Sequence, residues 1–177
     1  WSSDVCSSDL RELGRGLGVV YQVEYEGNSL AVKAVRNYPD RGEVIAEEIR
    51  NEWMRRLEVT DYAHIIHAYL PEKTHCEGQD LTIIPMEYAS GGSLEAWLRS
   101  HTNDGSDEWQ QQRITLFLQV CCGVKALHQA NQAHLDLKPS NILLFPANDT
   151  VVAKIADLGI SRSPRELLEQ TSLALFL

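Results

Sequence analysis

Residues 133–144 read AHLDLKPSNILL and gather His134, Asp136, Lys138 and Asn141 just before a run of apolar residues. A packed core rarely contains such a set, because unpaired polar groups are costly to bury. A carboxylate can accept a proton from a hydroxyl group, an ammonium can neutralise anionic oxygens, and an amide oxygen suits a hard cation such as Mg2+. The stretch therefore predicts a catalytic loop.

The apolar segments NILLF and VAKIADL, on the C-terminal side of this loop, predict a short pair of strands. Asp157 follows the second segment and precedes a glycine, sixteen residues after Asn141. This position gives a second oxygen ligand for the predicted metal.

Two helices are predicted on the N-terminal side of the loop, in LEAWLRS and in WQQQRITLFLQVCCGVKALHQ. ASGGS, residues 89–93, is small and flexible and predicts a linker before them. The longer helix carries apolar residues at helical spacing, which predicts its buried face: Ile114, Phe117, Leu118, Cys121, Val124 and Leu127.

The N-terminal half predicts five strands and one helix, which form a small antiparallel lobe. RELGRGLGVVYQVEY indicates a strand, a turn and a second strand, and SLAVKAV a third. Residues 43–57 have helical spacing. HIIHAYL and LTIIPMEY are the fourth and fifth predicted strands.

Three glycines, Gly14, Gly16 and Gly18, lie between the first two strands, where backbone N–H groups could approach phosphate oxygens or simply form a turn. Lys33 on the third strand either faces solvent or points inward, and an inward lysine needs an anionic partner. Glu48 and Glu52 share one face of the predicted helix. Either could pair with Lys33, or both could belong to an acidic helix surface.

Composition limits the classes of partner. The chain has 177 residues and a formal charge of -9, with no block of basic residues that would indicate nucleic-acid binding. No apolar run approaches the roughly 18 residues of a membrane span. The four cysteines lack CxxC spacing, and adjacent Cys121 and Cys122 would form a strained bridge, which predicts free buried thiols in a reducing compartment.

The first ten residues, WSSDVCSSDL, lack a basic segment and do not resemble a signal peptide. They resemble a translated sequencing adapter. We therefore expect residues 1–10 to lie outside the fold.

Five motifs in order, GRGLGVVY, AVK, MEYASGGSL, HLDLKPSN and DLG, resemble the eukaryotic-type (Hanks-type) protein kinases. DLKPSN is similar to the serine/threonine branch. The resemblance implies an α+β, two-lobed fold with a five-stranded antiparallel N-lobe, one helix in that lobe, and an incomplete, mainly helical C-lobe. It places the N-lobe at 11–86, the hinge at 87–91 and the C-lobe at 92–177, truncated after DLG.

The resemblance also assigns roles around ATP and Mg2+. Asp136 would be the catalytic base, Lys138 would contact the γ-phosphate, and Asn141 with Asp157 would bind Mg2+. Lys33 would contact the α and β phosphates and pair with Glu52, or less readily with Glu48. The other implied nucleotide contacts are Gly14, Gly16 and Gly18 at the phosphates, the gatekeeper Met86, the Glu87 carbonyl and Ala89 backbone at the adenine edge, and Val20, Ala31 and Leu143 around its ring.

Three positions depart from the family pattern. The glycine loop is one residue short and lacks the aromatic residue at its tip. Leu135 replaces the arginine of HRD, which implies regulation other than through a phosphorylated activation loop, and Leu158 replaces the phenylalanine of DFG. His134 is expected to support the DLG turn rather than to act as an acid or base. No APE-like motif follows, so the isolated chain is expected to be inactive.

The function implied is transfer of the ATP γ-phosphoryl group to a serine or threonine of a protein, by a cytoplasmic enzyme or domain that binds no nucleic acid. Two alternatives stay open: a pseudokinase that binds nucleotide or serves as a scaffold, and a small-molecule kinase of the aminoglycoside or choline type. The second is weaker, because those enzymes typically lack the lysine and proline found here at Lys138 and Pro139.

Overall fold

The computed structural model describes residues 10–15, 18–37, 59, 62–76, 78–101, 105–148 and 150–158. The chain divides into two compact units. Of the described residues, the first unit contains those within 10–37 and 67–88, and the second those within 59–66 and 89–158. The helix predicted at 43–57 lies outside the described residues.

The first unit is built on a five-stranded antiparallel sheet, as predicted. Its strand order is β1-β2-β3-β5-β4, so β3 lies at the centre, between β2 and β5. The strands are β1 Arg11–Arg15, β2 Val19–Tyr25, β3 Asn28–Arg36, β4 Glu72–Cys76 and β5 Gln79–Glu87.

The fourth strand is not the predicted one. HIIHAYL makes only isolated bridges, from Ile65 to Ile155 and from Ala68 to Met86, whereas β4 is the polar segment EKTHC. The apolar character of Ile65 and Ile66 reflects complete burial rather than membership of the sheet. β4 carries little apolar signal because it is an edge strand that pairs with β5 alone.

Side chains of this sheet alternate between two apolar clusters. Val23, Val32 and Ile83 form one cluster, and Val35 and Ile84 form the other on the opposite face. Leu10, the last residue of the segment expected to lie outside the fold, packs against the first cluster.

The described residues of the second unit include two helices and a β-hairpin, each close to its predicted position. Helix α1 spans Leu94–Ser100, helix α2 spans Asp107–Gln129, and strands β6 Ile142–Ala147 and β7 Thr150–Ile155 form the hairpin. Ser93 and Ser106 begin the helices: their hydroxyl oxygens accept hydrogen bonds from the backbone N–H groups of Ala96 and Trp109.

The buried face of α2 agrees with the predicted one at Leu127, and Val124 packs against the core, but the rest of the face differs. Its buried residues are Leu116, Val120, Gly123, Ala126 and Leu127. Ile114, Phe117 and Leu118, which the apolar spacing assigned to the core, are 52%, 66% and 57% exposed. Small residues face the core because α2 lies close to its neighbours: a Cβ atom at Gly123 would come within 2.6 Å of the His64 carbonyl oxygen.

The cysteines also depart from expectation. Cys121 and Cys122 are free, as predicted, but they are exposed rather than buried. Cys76 is disulfide-bonded, so the prediction of a free thiol is wrong there.

Among the helices that the structure describes, none is both long and apolar enough to cross a membrane.

Candidate active site

The predicted catalytic loop ends in a single 3-10 turn, Pro139–Asn141, that leads directly into β6. The Asn141 N–H donates to the Lys138 carbonyl at 2.9 Å and closes this turn. The Asn141 carbonyl accepts from the Ala156 N–H at 2.8 Å, which joins the loop to the end of β7. Proline is suited to the first position of such a turn because it needs no N–H partner there.

Asp136, Lys138 and Asn141 form a hydrogen-bonded cluster. The Asp136 Oδ2 atom accepts from Lys138 Nζ at 2.6 Å and from Asn141 Nδ2 at 3.1 Å. Asn141 Nδ2 also donates to the Asp136 backbone carbonyl at 2.9 Å, and Asn141 is only 9% exposed. The amide therefore fixes both the backbone and the carboxylate of Asp136.

These contacts set the charge state of the cluster. The hydrogen bond from Lys138 lowers the pKa of Asp136, and the positive charge of Lys138 and the bond from Asn141 add to this effect against partial burial. The same bond raises the pKa of Lys138, with further contributions from the charges of Asp136 and Asp157. Asp136 is thus a carboxylate and Lys138 an ammonium at neutral pH.

His134 is a structural residue of the loop; the prediction placed it under the DLG turn, of which Gly159 lies outside the described residues. It is 6% exposed, and its Nε2 atom donates to the Ala156 carbonyl at 2.9 Å. Its Nδ1 atom accepts from the Asp136 N–H at 3.3 Å. Because both ring nitrogens are engaged with backbone groups, His134 holds Asp136 and the segment before Asp157 together.

Two non-glycine residues of the site adopt the left-handed backbone conformation. Leu135 has φ 64° and Asp157 has φ 60°. Such residues are uncommon, and a bulky leucine at positive φ persists only where its surroundings impose the conformation. His134 and Asp136 provide that constraint for Leu135, whose side chain is 51% exposed.

Asp157 and Asn141 supply the kind of donor set that Mg2+ prefers. Asp157 is exposed, whereas the adjacent Leu158 is fully buried in the core of the second unit. Asn141 directs Nδ2 towards Asp136, so its oxygen atom points elsewhere. No group of three or more His, Cys, Asp or Glu suited to a metal occurs among the described residues. An amide and a carboxylate fit a Mg2+ ion that takes its remaining ligands from phosphates and water.

In the first unit, four of the predicted nucleotide contacts share one face of the sheet. Val20 lies opposite Lys33, and Ala31 lies opposite Met86. Since Ala31 and Lys33 are two residues apart on β3, their side chains point to the same side. Ala31 is buried, and the other three are half-buried. Glu48 and Glu52, the predicted partners of Lys33, lie outside the described residues.

The glycines of the first turn have different surroundings. A Cβ atom at Gly18 would lie 2.5 Å from the Ala34 carbonyl oxygen and 2.9 Å from a Val35 methyl group, whereas one at Gly14 would meet nothing within 4 Å. Gly18 is therefore required by the close approach of its backbone to β3. Gly16 lies outside the described residues.

The remaining predicted contacts lie near residue 88 and in β6. The Glu87 N–H donates to the His67 carbonyl at 3.1 Å, and the Glu87 carboxylate accepts from the His67 N–H at 2.6 Å. The Ala89 carbonyl accepts from the Gly92 N–H at 3.1 Å, so this carbonyl is already bonded. The Ala89 N–H is therefore the backbone group of this residue that better suits a ligand. Leu143 is half-buried in β6 and pairs with Lys154.

Sequence reasoning missed two residues beside the site, Gln119 and His64. Gln119 on α2 bonds to the backbone of β7 at Val151 and Ala153, and His64 bonds to the same strand. A glutamine three residues after buried Leu116 is the only trace of this arrangement in the sequence. That trace is weak, because the contacts span 32 to 89 residues.

These features, a five-stranded antiparallel sheet followed by a helical unit with an Asp-Lys-Asn cluster before a β-hairpin, are those expected of a protein kinase domain. Comparison with known families agrees: the sequence matches the protein kinase domain over residues 7–173. The chain belongs to the protein kinase family.

Individual relatives include kinases of several kinds. The chain is 34% identical to human myosin light chain kinase family member 4 over 89% of its length. It is 27% identical over 90% to the chicken inhibitor of nuclear factor kappa-B kinase subunit alpha, and 29% identical over 92% to the Arabidopsis thaliana leucine-rich repeat receptor-like protein kinase PXC2. The matched region spans only 39%, 20% and 16% of the length of these proteins respectively.

Proposed function

We propose that this chain is part of an ATP-dependent protein serine/threonine kinase, which transfers the γ-phosphoryl group of ATP to a hydroxyl group of a protein substrate. The observation that carries the proposal is the Asp136 carboxylate, which Lys138 and Asn141 hold by hydrogen bonds of 2.6 and 3.1 Å. A kinase needs a fixed, ionised carboxylate beside a cation at the point of phosphoryl transfer.

The geometry of the cluster gives the two carboxylate oxygens of Asp136 different roles. Both hydrogen bonds reach Oδ2. Oδ1 is therefore the atom that would accept the proton of the substrate hydroxyl, as the hydroxyl oxygen bonds to the γ-phosphorus and the bond from phosphorus to the ADP oxygen breaks. Lys138 carries a positive charge beside this carboxylate and can stabilise negative charge on the transferred group.

Asn141 and Asp157 would hold Mg2+, through an amide oxygen and a carboxylate. When bound, Mg2+ neutralises charge on the phosphate oxygens. The contribution of the chain is to fix these two ligands. Asn141 is fixed by its hydrogen bonds to Asp136. The segment before Asp157 is fixed by the hydrogen bonds of Ala156 to His134 and Asn141.

The first unit would bind the nucleotide through the sheet face that carries Lys33. We assign Lys33 to the α and β phosphates, with Glu52 as its partner. Met86 would be the gatekeeper, and Glu87 and Ala89 would bind the adenine edge. The remaining assignments are Gly14, Gly16 and Gly18 at the phosphates, and Val20, Ala31 and Leu143 around the ring.

Several finer properties belong to the same proposal. The resemblance of DLKPSN to the serine/threonine branch supports serine and threonine as acceptors. Leu135 in place of arginine favours a non-RD kinase, in which no arginine at this position pairs with a phosphorylated activation loop. We further propose a cytoplasmic location, and lobes at 11–86 and 92–177 joined by a hinge at 87–91.

Replacing the carboxylate tests the proposal. Asp136→Asn in the full-length protein preserves shape but removes the proton acceptor, so phosphate transfer to a basic protein is expected to fall about 10²- to 10⁴-fold. Glu72→Gln, the same change on the exposed strand β4, is the control and leaves the rate unchanged. A parental rate in Asp136→Asn would refute the assignment.

A pseudokinase is the second candidate, and one observation favours it. Arg15 pairs directly with Val19, so only three residues connect β1 and β2. Of the glycines there, Gly18 serves strand packing against β3. A protein that binds ATP without transferring its phosphate would fit a phosphate loop reduced in this way.

A further inference from the structure

The outer edge of β7 is hydrogen-bonded along its length by groups from outside its own hairpin. The Ala153 N–H donates to Gln119 Oε1 at 2.6 Å, and Gln119 Nε2 donates to the Val151 carbonyl at 3.1 Å. His64 Nδ1 donates to the Ala153 carbonyl at 2.9 Å.

The backbone beside His64 continues this edge. The Ile155 N–H donates to the His64 carbonyl at 2.9 Å, and the Ile155 carbonyl accepts from the Ile66 N–H at 2.9 Å. Five successive groups on this side of β7 are therefore bonded.

Gln119 fills the role of a missing strand. An edge strand normally presents alternating N–H and C=O groups to solvent. A glutamine amide offers one acceptor and two donors, so a single side chain can bond an N–H and a C=O of that edge. Gln119 is half-buried on α2, which makes these bonds part of the interior of the second unit.

The strand held in this way ends at a proposed Mg2+ ligand. Ile155 is the last residue of β7, and Ala156 is bonded to His134 through its carbonyl and to Asn141 through its N–H. Asp157 follows with φ 60°. A shift of β7 along its axis would therefore move Asp157 relative to Asn141.

We propose that Gln119 is a positioning residue for Mg2+ binding: its amide fixes β7 along the strand axis and thereby sets Asp157 at the correct place beside Asn141. This inference rests on the proposed function. Residues that orient metal ligands through hydrogen bonds typically change metal affinity about 10- to 100-fold when altered. Gln119 acts one step further away, through the strand.

Metal binding without turnover gives the direct test. Mn2+ replaces Mg2+ as the probe, and electron paramagnetic resonance measures its affinity for the full-length protein saturated with ADP. Gln119→Leu removes both hydrogen bonds at similar volume and is expected to weaken Mn2+ binding about threefold to tenfold. Gln119→Glu keeps the acceptor for the Ala153 N–H but loses the donor to Val151, so its Mn2+ affinity should lie between those of the parental protein and Gln119→Leu. It also provides the test if Gln119→Leu fails to fold.

Two controls separate positioning from loss of stability. Gln112→Leu makes the same change at an exposed position on α2 and should leave Mn2+ affinity unchanged. Val120→Ala removes buried volume from α2 without touching β7 hydrogen bonds, and should lower the melting temperature while the affinity stays the same.

The outcomes are distinct. Weaker Mn2+ binding in Gln119→Leu, with both controls at the parental affinity, supports the inference. Parental affinity in both Gln119 variants, or equal weakening in Val120→Ala, overturns it and leaves the proposed function standing. Absence of Mn2+ binding by the parental protein with ADP overturns the proposed function, and the inference with it.

Discussion

The catalytic stretch, residues 134–141, and the glycine turn between β1 and β2 differ in how their residues are constrained. In the catalytic stretch, polar side chains bond to one another: Asp136 accepts from both Lys138 and Asn141. In the glycine turn the constraint is the space that a side chain would need, and this space differs between positions. Gly18 lies against the β3 backbone, whereas Gly14 has open space.

This difference separates residues to which we assign a chemical role from a residue that is needed for packing. The partners of Asp136 lie two and five residues away, so a local motif contains the whole cluster. The neighbours of Gly18 lie on another strand. A glycine motif alone therefore does not distinguish a phosphate contact from a close approach of two strands.

After Asp136→Asn, the largest effect is expected from Asn141→Ala. The change removes both bonds to Asp136 and a proposed Mg2+ ligand, so the Mg2+ concentration for half-maximal phosphate transfer should rise about 10- to 100-fold. Steady-state kinetics with varied Mg2+ measures this in the full-length protein. Ser140→Ala, the neighbouring change, should keep the parental value. An unchanged Mg2+ requirement in Asn141→Ala would mean that the cluster does not serve the metal.

The two glycines provide a matched pair. Gly18→Ala forces a methyl group against the Ala34 carbonyl and should lower the free energy of unfolding by about 1–3 kcal/mol. Gly14→Ala meets nothing within 4 Å, and should leave stability unchanged or raise it by up to about 1 kcal/mol. Urea denaturation compares the two variants. Equal losses at both positions would contradict the packing role given to Gly18.

The smallest effect is a shift in pH dependence. Lys138 lowers the pKa of Asp136, and a carboxylate with a lowered pKa stays ionised to lower pH. In Lys138→Met the pKa should rise, and the acid limb of kcat/KM should move to higher pH, whatever the loss in rate. The same bond stabilises the folded state at neutral pH, and that contribution is lost as pH falls through the folded-state pKa of Asp136. Lys125→Met on the exposed side of α2 should leave the midpoint of the limb in place.

Much of the fold could be predicted because the helices, the hairpin and four of the five sheet strands carry strong local patterns. β4 was missed because an exposed edge strand needs no apolar residues. HIIHAYL was predicted as a strand because Ile65 and Ile66 are apolar, but these residues are buried without belonging to the sheet. The pattern of apolar residues indicates which residues are buried, but a buried residue need not belong to a sheet.

Part of the buried face of α2 was also assigned wrongly, for a related reason. Among the described residues, the most apolar stripe of α2 is not its buried stripe, because Phe117 in the apolar stripe is 66% exposed. The packed stripe contains Gly123, where close approach requires a small residue. Gln119 was missed likewise, because its bonds to β7 depend on a neighbour remote in sequence. The grouping of residues close in sequence could be predicted, whereas contacts between residues far apart in sequence could not.

The central claim is that the catalytic stretch performs phosphoryl transfer. Parallel measurement of Mg2+·ATP binding and of phosphate transfer to protein, with the full-length parental protein, tests this most directly. We expect binding together with incorporation of phosphate into serine or threonine. Binding without any transfer would contradict the account and identify the protein as a nucleotide-binding pseudokinase.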